Sequence, residues 1–341
     1  MRASILGPLL VCDDMRAETL TDPAAFVNLA EDWESLAGQD PSATVFHLPQ
    51  YLGIWWNEFG SSCEELAVVA LREADQLRGV CALTRHEGGV VRFAGDPDVT
   101  DYLGPVSCSE DRDVVAAAVI KEARTIGQRL EFNGLAAESG WPDAFAAAAK
   151  EAGLTASIVE LDACPRISVA EGFDAYLAAL SGKLRHEIRR KERRLREAGE
   201  MIVRISDPST IDHDLETFFT FTRADDGGKG DFFGHHARAS FFSAIGAAFL
   251  NHGLLRVVVL ELDGVPLGVD IGFARNGVWS LYNMSYERER SDLAPGMVLV
   301  GETIRLATIE GCSTFDFLRG REPYKYRFGA MDGSVLTVSI E

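Results

Sequence analysis

The sequence predicts an α+β fold made of two copies of one unit, each a mixed, mostly antiparallel sheet flanked by helices. Three observations predict it. An order of three strands, a loop, a helix and a strand occurs twice along the chain. Turn and helix-end landmarks recur at a nearly constant offset: Gly89 to Gly277 is 188 residues, Pro105 to Pro295 is 190 and Gly127 to Gly311 is 184. The length of 341 residues, with 47% hydrophobic and 25% charged side chains, suits two domains with ordinary cores. The division is placed at 1–165 and 166–341.

In the first copy, Leu66–Arg72, Arg78–Arg85 and Val90–Ala94 read as strands, with Gly88-Gly89 marking the second turn. A loop ending in Asp101-Tyr102-Leu103-Gly104-Pro105 leads to a helix at Arg112–Ile126, and Leu130–Leu135 is the next strand. The window 183–196 follows the first copy. It holds eight basic and two acidic residues, with Leu184, Ile188 and Leu195 as a narrow apolar stripe at helical spacing. The second copy opens with the β-branched run Leu255–Leu262. Asp263-Gly264 is a hairpin turn, because both central residues of a type I′ turn need positive φ. Val265–Ala274 and, after Asn276-Gly277, Val278–Tyr286 complete a meander. The aliphatic segment Met297–Glu310 reads as a helix packed on a sheet, ended by Gly311 as its C′ residue, and Ser313–Leu318 is a strand.

Charge narrows the function. The chain carries 52 acidic and 33 basic residues, a net of −19, which disfavours a general nucleic-acid surface. The imbalance sits in residues 1–170, at −15, against −4 for 171–341; the +6 of the 183–196 window is the strongest anomaly. Cys12, Cys63, Cys81, Cys108, Cys164 and Cys312 form no CxxC pair and read as reduced thiols. The apolar start Ile5–Cys12 contains Pro8 and runs into Asp13-Asp14, a poor signal peptide. With no apolar run of spanning length, a cytoplasmic protein without a transmembrane segment is expected.

The chemistry centres on the loop before Met297. The first turn of a helix offers free N–H groups and the positive end of the dipole, and Gly296 lets a ligand approach the backbone closely. That arrangement suits a pyrophosphate. Other fragments are set aside. His235-His236 after Asp231 lack a sensibly spaced third ligand, so no metal is expected. Gly227-Gly228-Lys229-Gly230 lacks the phosphate-loop spacing and reads as a mobile loop, a lid if it borders a site. No GxSxG elbow occurs.

The meander, the loop-helix and the stretch Phe315-Asp316-Phe317-Leu318-Arg319-Gly320-Arg321-Glu322-Pro323-Tyr324-Lys325-Tyr326-Arg327-Phe328-Gly329 resemble the GNAT acyltransferase fold, in particular the FemAB-like branch with two GNAT units in one chain. Phe46-His47-Leu48-Pro49-Gln50-Tyr51, Trp55-Trp56, Asp101–Pro105, the basic helix and Pro295-Gly296 bring the likeness to the CelD/BcsL acetyltransferases of cellulose and exopolysaccharide synthesis. The resemblance covers most of residues 40–330. The family's glycine-rich pattern, a Gln or Arg followed by two spaced glycines, is only partly present.

The resemblance implies acetyl-CoA or another acyl-CoA as co-substrate, its pyrophosphate on the amides of Ala294, Gly296, Met297 and Val298. It implies direct attack of an amine or hydroxyl on the thioester, on a small-molecule or glycan-linked acceptor. Backbone N–H groups of Val278–Tyr286 are the expected oxyanion donors. Asp270, Glu287, Asp316 and Glu322 are candidates for proton handling, and Arg319 and Lys325 for holding an anion or the thioester oxygen. Lys325 matches a lysine near the reaction centre of related cell-wall peptide transferases, and Tyr324 stands beside it. Alternative readings run beside these. Asp316 could simply bond Arg319 or a nearby backbone amide; Tyr324 and Phe328 could be packing, and Arg321 and Arg327 solvated charges. At the level of function, the alternatives are a transferase drawing on aminoacyl-tRNA and a non-catalytic module binding an envelope or biosynthetic partner.

Overall fold

Residues 15–95, 98–224 and 236–341 are described in the computed structural model of the chain. Ile5–Cys12, the Gly227–Gly230 loop, Asp231, His235 and the His236 side chain lie outside the described residues. The first half contributes β1 (Met15–Leu20), β2 (Glu65–Glu73), β3 (Gln76–His86), β4 (Val90–Phe93), β5 (Val106–Ser107), β6 (Arg129–Ala136) and β7 (Ala156–Ser168). The second contributes β8 (Met201–Ile205), β9 (Leu255–Leu262), β10 (Val265–Arg275), β11 (Val278–Tyr286), β12 (Thr314–Asp316) and β13 (Met331–Ile340). They form one mixed sheet in the order β1-β2-β3-β4-β6-β13-β7-β12-β11-β10-β9-β8, with β5 beside β3. The parallel pairs are β4–β6 and β11–β12; the others are antiparallel.

The helices are α1 (Ala25–Asn28), α2 (Ala30–Gln39), α3 (Pro49–Phe59), α4 (Arg112–Ile126) and α5 (Trp141–Glu151) in the first half. Those of the second are α6 (Phe173–Ala179), α7 (Gly182–Ala198), α8 (Ile211–Arg223), α9 (His236–Asn251), α10 (Pro295–Ile309) and α11 (Pro323–Tyr326). Local chemistry accounts for the element ends. Asp263, Gly264, Asn276 and Gly277 have φ of 53°, 77°, 49° and 73°, as two type I′ hairpins demand. Gly311 is left-handed at φ 78° just past α10.

The two halves repeat at the level of single residues. Each second hairpin strand carries a bulge, at Arg78 between the pairs Leu71–Gly79 and Arg72–Leu77, and at Leu267 between Glu261–Pro266 and Leu260–Gly268. The glycine after each bulge admits the helix crossing the sheet. A Cβ on Gly79 would lie 2.3 Å from Val115 of α4, and one on Gly268 would lie 3.1 Å from Leu299 of α10.

The last strands are exchanged. β13, from the second half, pairs with β6 and β7 of the first, and β12 pairs with the end of β7. The boundary expected between 165 and 166 falls inside β7. Three clusters fill the interior: α4 and α5 against the first half of the sheet, α6, α7 and α10 against the second, and a large one in which α1–α3 and α8–α9 meet. On α7, Ile188 and Leu195 are buried and Leu184 is half-buried; most of the basic residues face outward.

Candidate active site

The β11–β12 ladder lasts three rungs, Val278–Ser280 against Thr314–Asp316. Beyond Ser280 the two strands part. There β11 bulges: Ile271 faces Asn283, Gly272 faces Leu281, and Tyr282 is the extra residue. The bulge turns the Tyr282 hydroxyl onto the first half, where it donates to Val99 O at 2.6 Å and lies 3.3 Å from the Tyr51 hydroxyl. Burial holds the Tyr282 phenol far above its ordinary pKa.

Asp316 ends the short ladder and is 3% exposed. Its Oδ2 accepts from Arg166 Nε at 2.8 Å and from the Tyr102 hydroxyl at 2.8 Å, and its Oδ1 accepts from Leu318 N–H at 2.7 Å. Arg166 Nη2 donates to the Tyr102 oxygen at 2.7 Å and Nη1 reaches Glu138. Of the two simple partners expected for Asp316, a nearby backbone amide is present in Leu318, but Arg319 is not; Arg319 turns instead to Asp101, Nε to Oδ1 at 3.0 Å. Burial raises the Asp316 pKa, with Arg166 opposing the rise, and burial likewise raises Asp101 against the pull of Arg319.

Asp270 lies elsewhere, fully buried on β10 beneath α10. Thr303 donates its hydroxyl to Asp270 Oδ2, while Oδ1 has no partner among the described residues. Burial pushes this carboxyl up to about 8. Tyr324 is within its electrostatic reach and packs on Phe317. Lys325 is 2% exposed, with Nζ donating to the carbonyls of Leu318 (3.1 Å), Arg319 (2.6 Å) and Gly320 (3.0 Å) and lying 2.9 Å from Glu322. An ammonium has three N–H donors, so these partners saturate it. Glu287 caps its own loop by accepting from Glu289 N–H. The candidates thus fall into two groups: Asp316 and Arg319 against the first half, Asp270 and Tyr324 under α10, with Lys325 tying the 318–320 loop between them.

At the start of α10 the four expected amides are unequal. Ala294 N–H donates to Ser291 O at 3.0 Å, and Met297 and Val298 both donate to Ala294 O at 3.1 and 3.2 Å. Only the Gly296 N–H lacks a partner among the described residues. Its Cα faces the Tyr286 ring, since a Cβ there would meet that ring at 2.9 Å. Two cations lie at this corner among the carboxylates of Glu287, Glu289 and Asp292: Arg288 lies over the Tyr286 ring at 5.1 Å, and Arg194 of α7 lies 3.9 Å from Asp292. A phosphate held here would have one amide and these guanidinium groups, which fits an anionic carrier by side chains more than by backbone.

On the other face of the sheet, between the two halves, lies a cavity of about 390 Å³. Its wall includes Ser280 and Asp316, the last paired rung, together with Tyr102 and Arg166. Sequence reasoning missed Arg166 and Tyr282, which carry no local signal; Tyr51, Asp101 and Tyr102 stood inside quoted motifs without a role assigned to them.

Residues 182–326 match the family model described as Acetyltransferase (GNAT) domain. The chain has the GNAT fold. Solved structures extend the likeness over both halves. FemX is 12% identical, with a TM-score of 0.66 over 94% of this chain and 96% of that one. A conserved protein of unknown function from Bacteroides thetaiotaomicron gives 0.63 at 12% identity over 94% and 97%. A tandem GNAT protein from the clavulanic acid biosynthesis pathway gives 0.51 at 12% over 95% and 98%. At such identity the likeness is one of fold. No curated protein matches the sequence. Among the described residues no helix is long and apolar enough to cross a membrane.

Proposed function

We propose that the protein transfers an acyl group, acetyl or longer, from acyl-CoA to an amine or hydroxyl of a small or glycan-linked acceptor, the kind of acceptor met in exopolysaccharide synthesis. In this reading residues 166–341 hold the donor and residues 1–165 shape the acceptor side. The observation that carries it is the parting of β11 from β12 directly before α10. This opening is flanked by a free Gly296 N–H and by Arg194 and Arg288 at its anionic end.

Bound acyl-CoA would supply an acyl group already activated as a thioester. The chain's own residues do the rest. Arg194, Arg288 and the Gly296 N–H hold the phosphates. Asp316 would take the acceptor's proton through the Tyr102 hydroxyl, which already donates to it, as the acceptor attacks the carbonyl carbon; the carbon–sulfur bond breaks and CoA leaves with the bonding pair as its thiolate. Lys325 is a positioning residue: by gathering three carbonyls it fixes the 318–320 loop, and Arg319–Asp101 latches that loop to the first half. Calorimetry with acetyl-, butyryl- and palmitoyl-CoA tests the reading. Binding of at least one in the micromolar range is expected; no heat from any at millimolar concentration, in folded protein, overturns it.

A second reading, an aminoacyl-tRNA donor, draws support from α7, where the exposed Lys183, Arg189 and Arg190 have no ion-pair partner among the described residues. Filter binding of charged tRNA across a salt series decides it, because phosphate contacts weaken steeply with salt.

A further inference from the structure

The cavity between the halves is walled by three arginines, and their partners differ. Arg166 is neutralised by Asp316 and Glu138. Arg112 forms no hydrogen bond or ion pair with any described residue; its guanidinium lies on the Trp141 ring, 5.4 Å from the centroid. Arg275 gives one bond, from Nη2 to Ala37 O at 2.9 Å, and pairs with no carboxylate among the described residues. The Nε atoms of both, and Trp141 Nε1, are buried without a partner. Trp141 is 2% exposed.

This is an odd arrangement in a chain of net charge −19, where acidic residues outnumber basic ones and most other arginines near the sheet have found a carboxylate. Both side chains are half-buried, and partly desolvating a guanidinium without an opposite charge is unfavourable; two such groups facing one cavity also repel each other. Burial indeed lowers the Arg275 pKa, with Glu34 and Asp40 only partly opposing it. A bound anion would relieve both costs and supply acceptors for the unpaired donors. The volume falls in the range of small-molecule sites, roughly 300–1,000 Å³. The rest of the wall can orient a polar ligand: Ser42, Thr44, Ser139 and Asn276 carry hydroxyl or amide groups. His47 is held neutral there, its pKa lowered by burial to about 4, so it adds no charge of its own.

We propose that this cavity binds a small molecule through a carboxylate or phosphate group held between Arg112 and Arg275. Ser280 and Asp316 belong both to the cavity wall and to the last rung before β11 and β12 part, so a molecule anchored here reaches the opening from the face opposite α10. That the bound molecule is the acyl acceptor rests on the transferase reading above; that the cavity takes an anion does not.

The test is calorimetry on the full chain with sodium pyrophosphate and with sodium citrate, at ionic strength fixed by NaCl. One of the two is expected to bind at submillimolar Kd, and the tighter one names the group. Arg112→Gln and Arg275→Gln should each weaken it by about ten- to a hundred-fold, the loss of a charge-assisted contact. Arg129→Gln, exposed on β6 and outside the cavity wall, should leave it unchanged. Thermal denaturation confirms that each variant is folded, and Arg275→Lys, which keeps the charge without the fork, should fall between wild type and Arg275→Gln. Wild-type protein that binds neither anion, or folded Gln variants that bind as wild type does, overturn the proposal. Acyl-CoA binding without anion binding removes the cavity claim alone. Anion binding without acyl-CoA binding keeps the cavity and removes its acceptor role.

Discussion

The two halves are built on one plan and diverge at the positions where chemistry would occur. In both, a bulge and a glycine let a helix settle on the sheet, Gly79 under Val115 and Gly268 under Leu299. Their registers then align Cys81, opposite Val69, with Asp270, opposite Val258. The first half places a buried thiol in an apolar cluster; the second places a carboxyl bonded to Thr303 and otherwise alone. The same registers align Arg92 with Ser280 and Glu131 with Asp316. In the first half this rung is clasped by an ion pair, Arg92 Nη2 to Glu131 Oε2 at 2.7 Å, whereas in the second the carboxylate turns away to Arg166 and Tyr102. At these two aligned positions the first half has a thiol in an apolar cluster and a half-exposed ion pair, whereas the second keeps buried carboxyls that cost stability. Buried ionisable groups of that kind cluster at functional sites.

The largest way to break this comparison is at Asp270. Its carboxyl ionises near 3.8 when unfolded and at about 8 when folded. Between those values the folded chain holds a proton that the unfolded chain has lost, so stability falls as pH rises through pH 4–8, by up to about 1.4 kcal/mol per pH unit. Asp270→Asn cannot ionise and should flatten that slope, leaving the variant more stable than wild type at pH 8. Urea unfolding at several pH values measures it; parallel curves would mean that Asp270 is not held protonated.

Next comes Lys325→Met. It leaves three loop carbonyls without their donor, and unfolding free energy should drop by about 3 kcal/mol or more. A drop below ~1 kcal/mol would show that the loop does not depend on this ammonium. Asp316→Asn comes third. If Asp316 takes the acceptor's proton, kcat/KM for transfer should fall about a hundred-fold or more with little change in acyl-CoA affinity. A fall in affinity alone would assign it to binding.

The repeated core of this fold could be read along the chain, because its second-half strands are β-branched runs separated by Asp-Gly and Asn-Gly and the helices after each meander end at Gly127 and Gly311; β1, β5, β8 and the helices of residues 25–59 and 211–251 were not foreseen. The first-half helix 112–126 and the strands 255–262 and 278–286 have the ends that the sequence predicts. The exchange of β7 and β13 carries no such signal, since pairing partners are chosen by tertiary packing. The site was legible only in part for the same reason. Asp316 meets Arg166 and Tyr102 across 150 and 214 residues, and no local pattern announces contacts of that range. At α10, Ala294 adopts a left-handed φ of 55° and its carbonyl draws in the Met297 and Val298 amides. An alanine gives no warning of that turn, so four amides looked free where one is.

The smallest effect sharpens the comparison most. Glu131→Gln removes the clasp of the first half, at the position that Asp316 occupies in the second. Arg92 is 41% and Glu131 27% exposed, so solvent screens the pair and its loss should cost no more than about 1 kcal/mol in urea unfolding. Transfer activity should stay within about two-fold of wild type, because this carboxylate faces no acceptor in the proposed reading. The same chemical change at two aligned positions would then separate the halves by roughly two orders of magnitude in rate. If Glu131→Gln instead lowers transfer as much as Asp316→Asn does, the first half takes part in the chemistry and the division of labour between the copies is wrong.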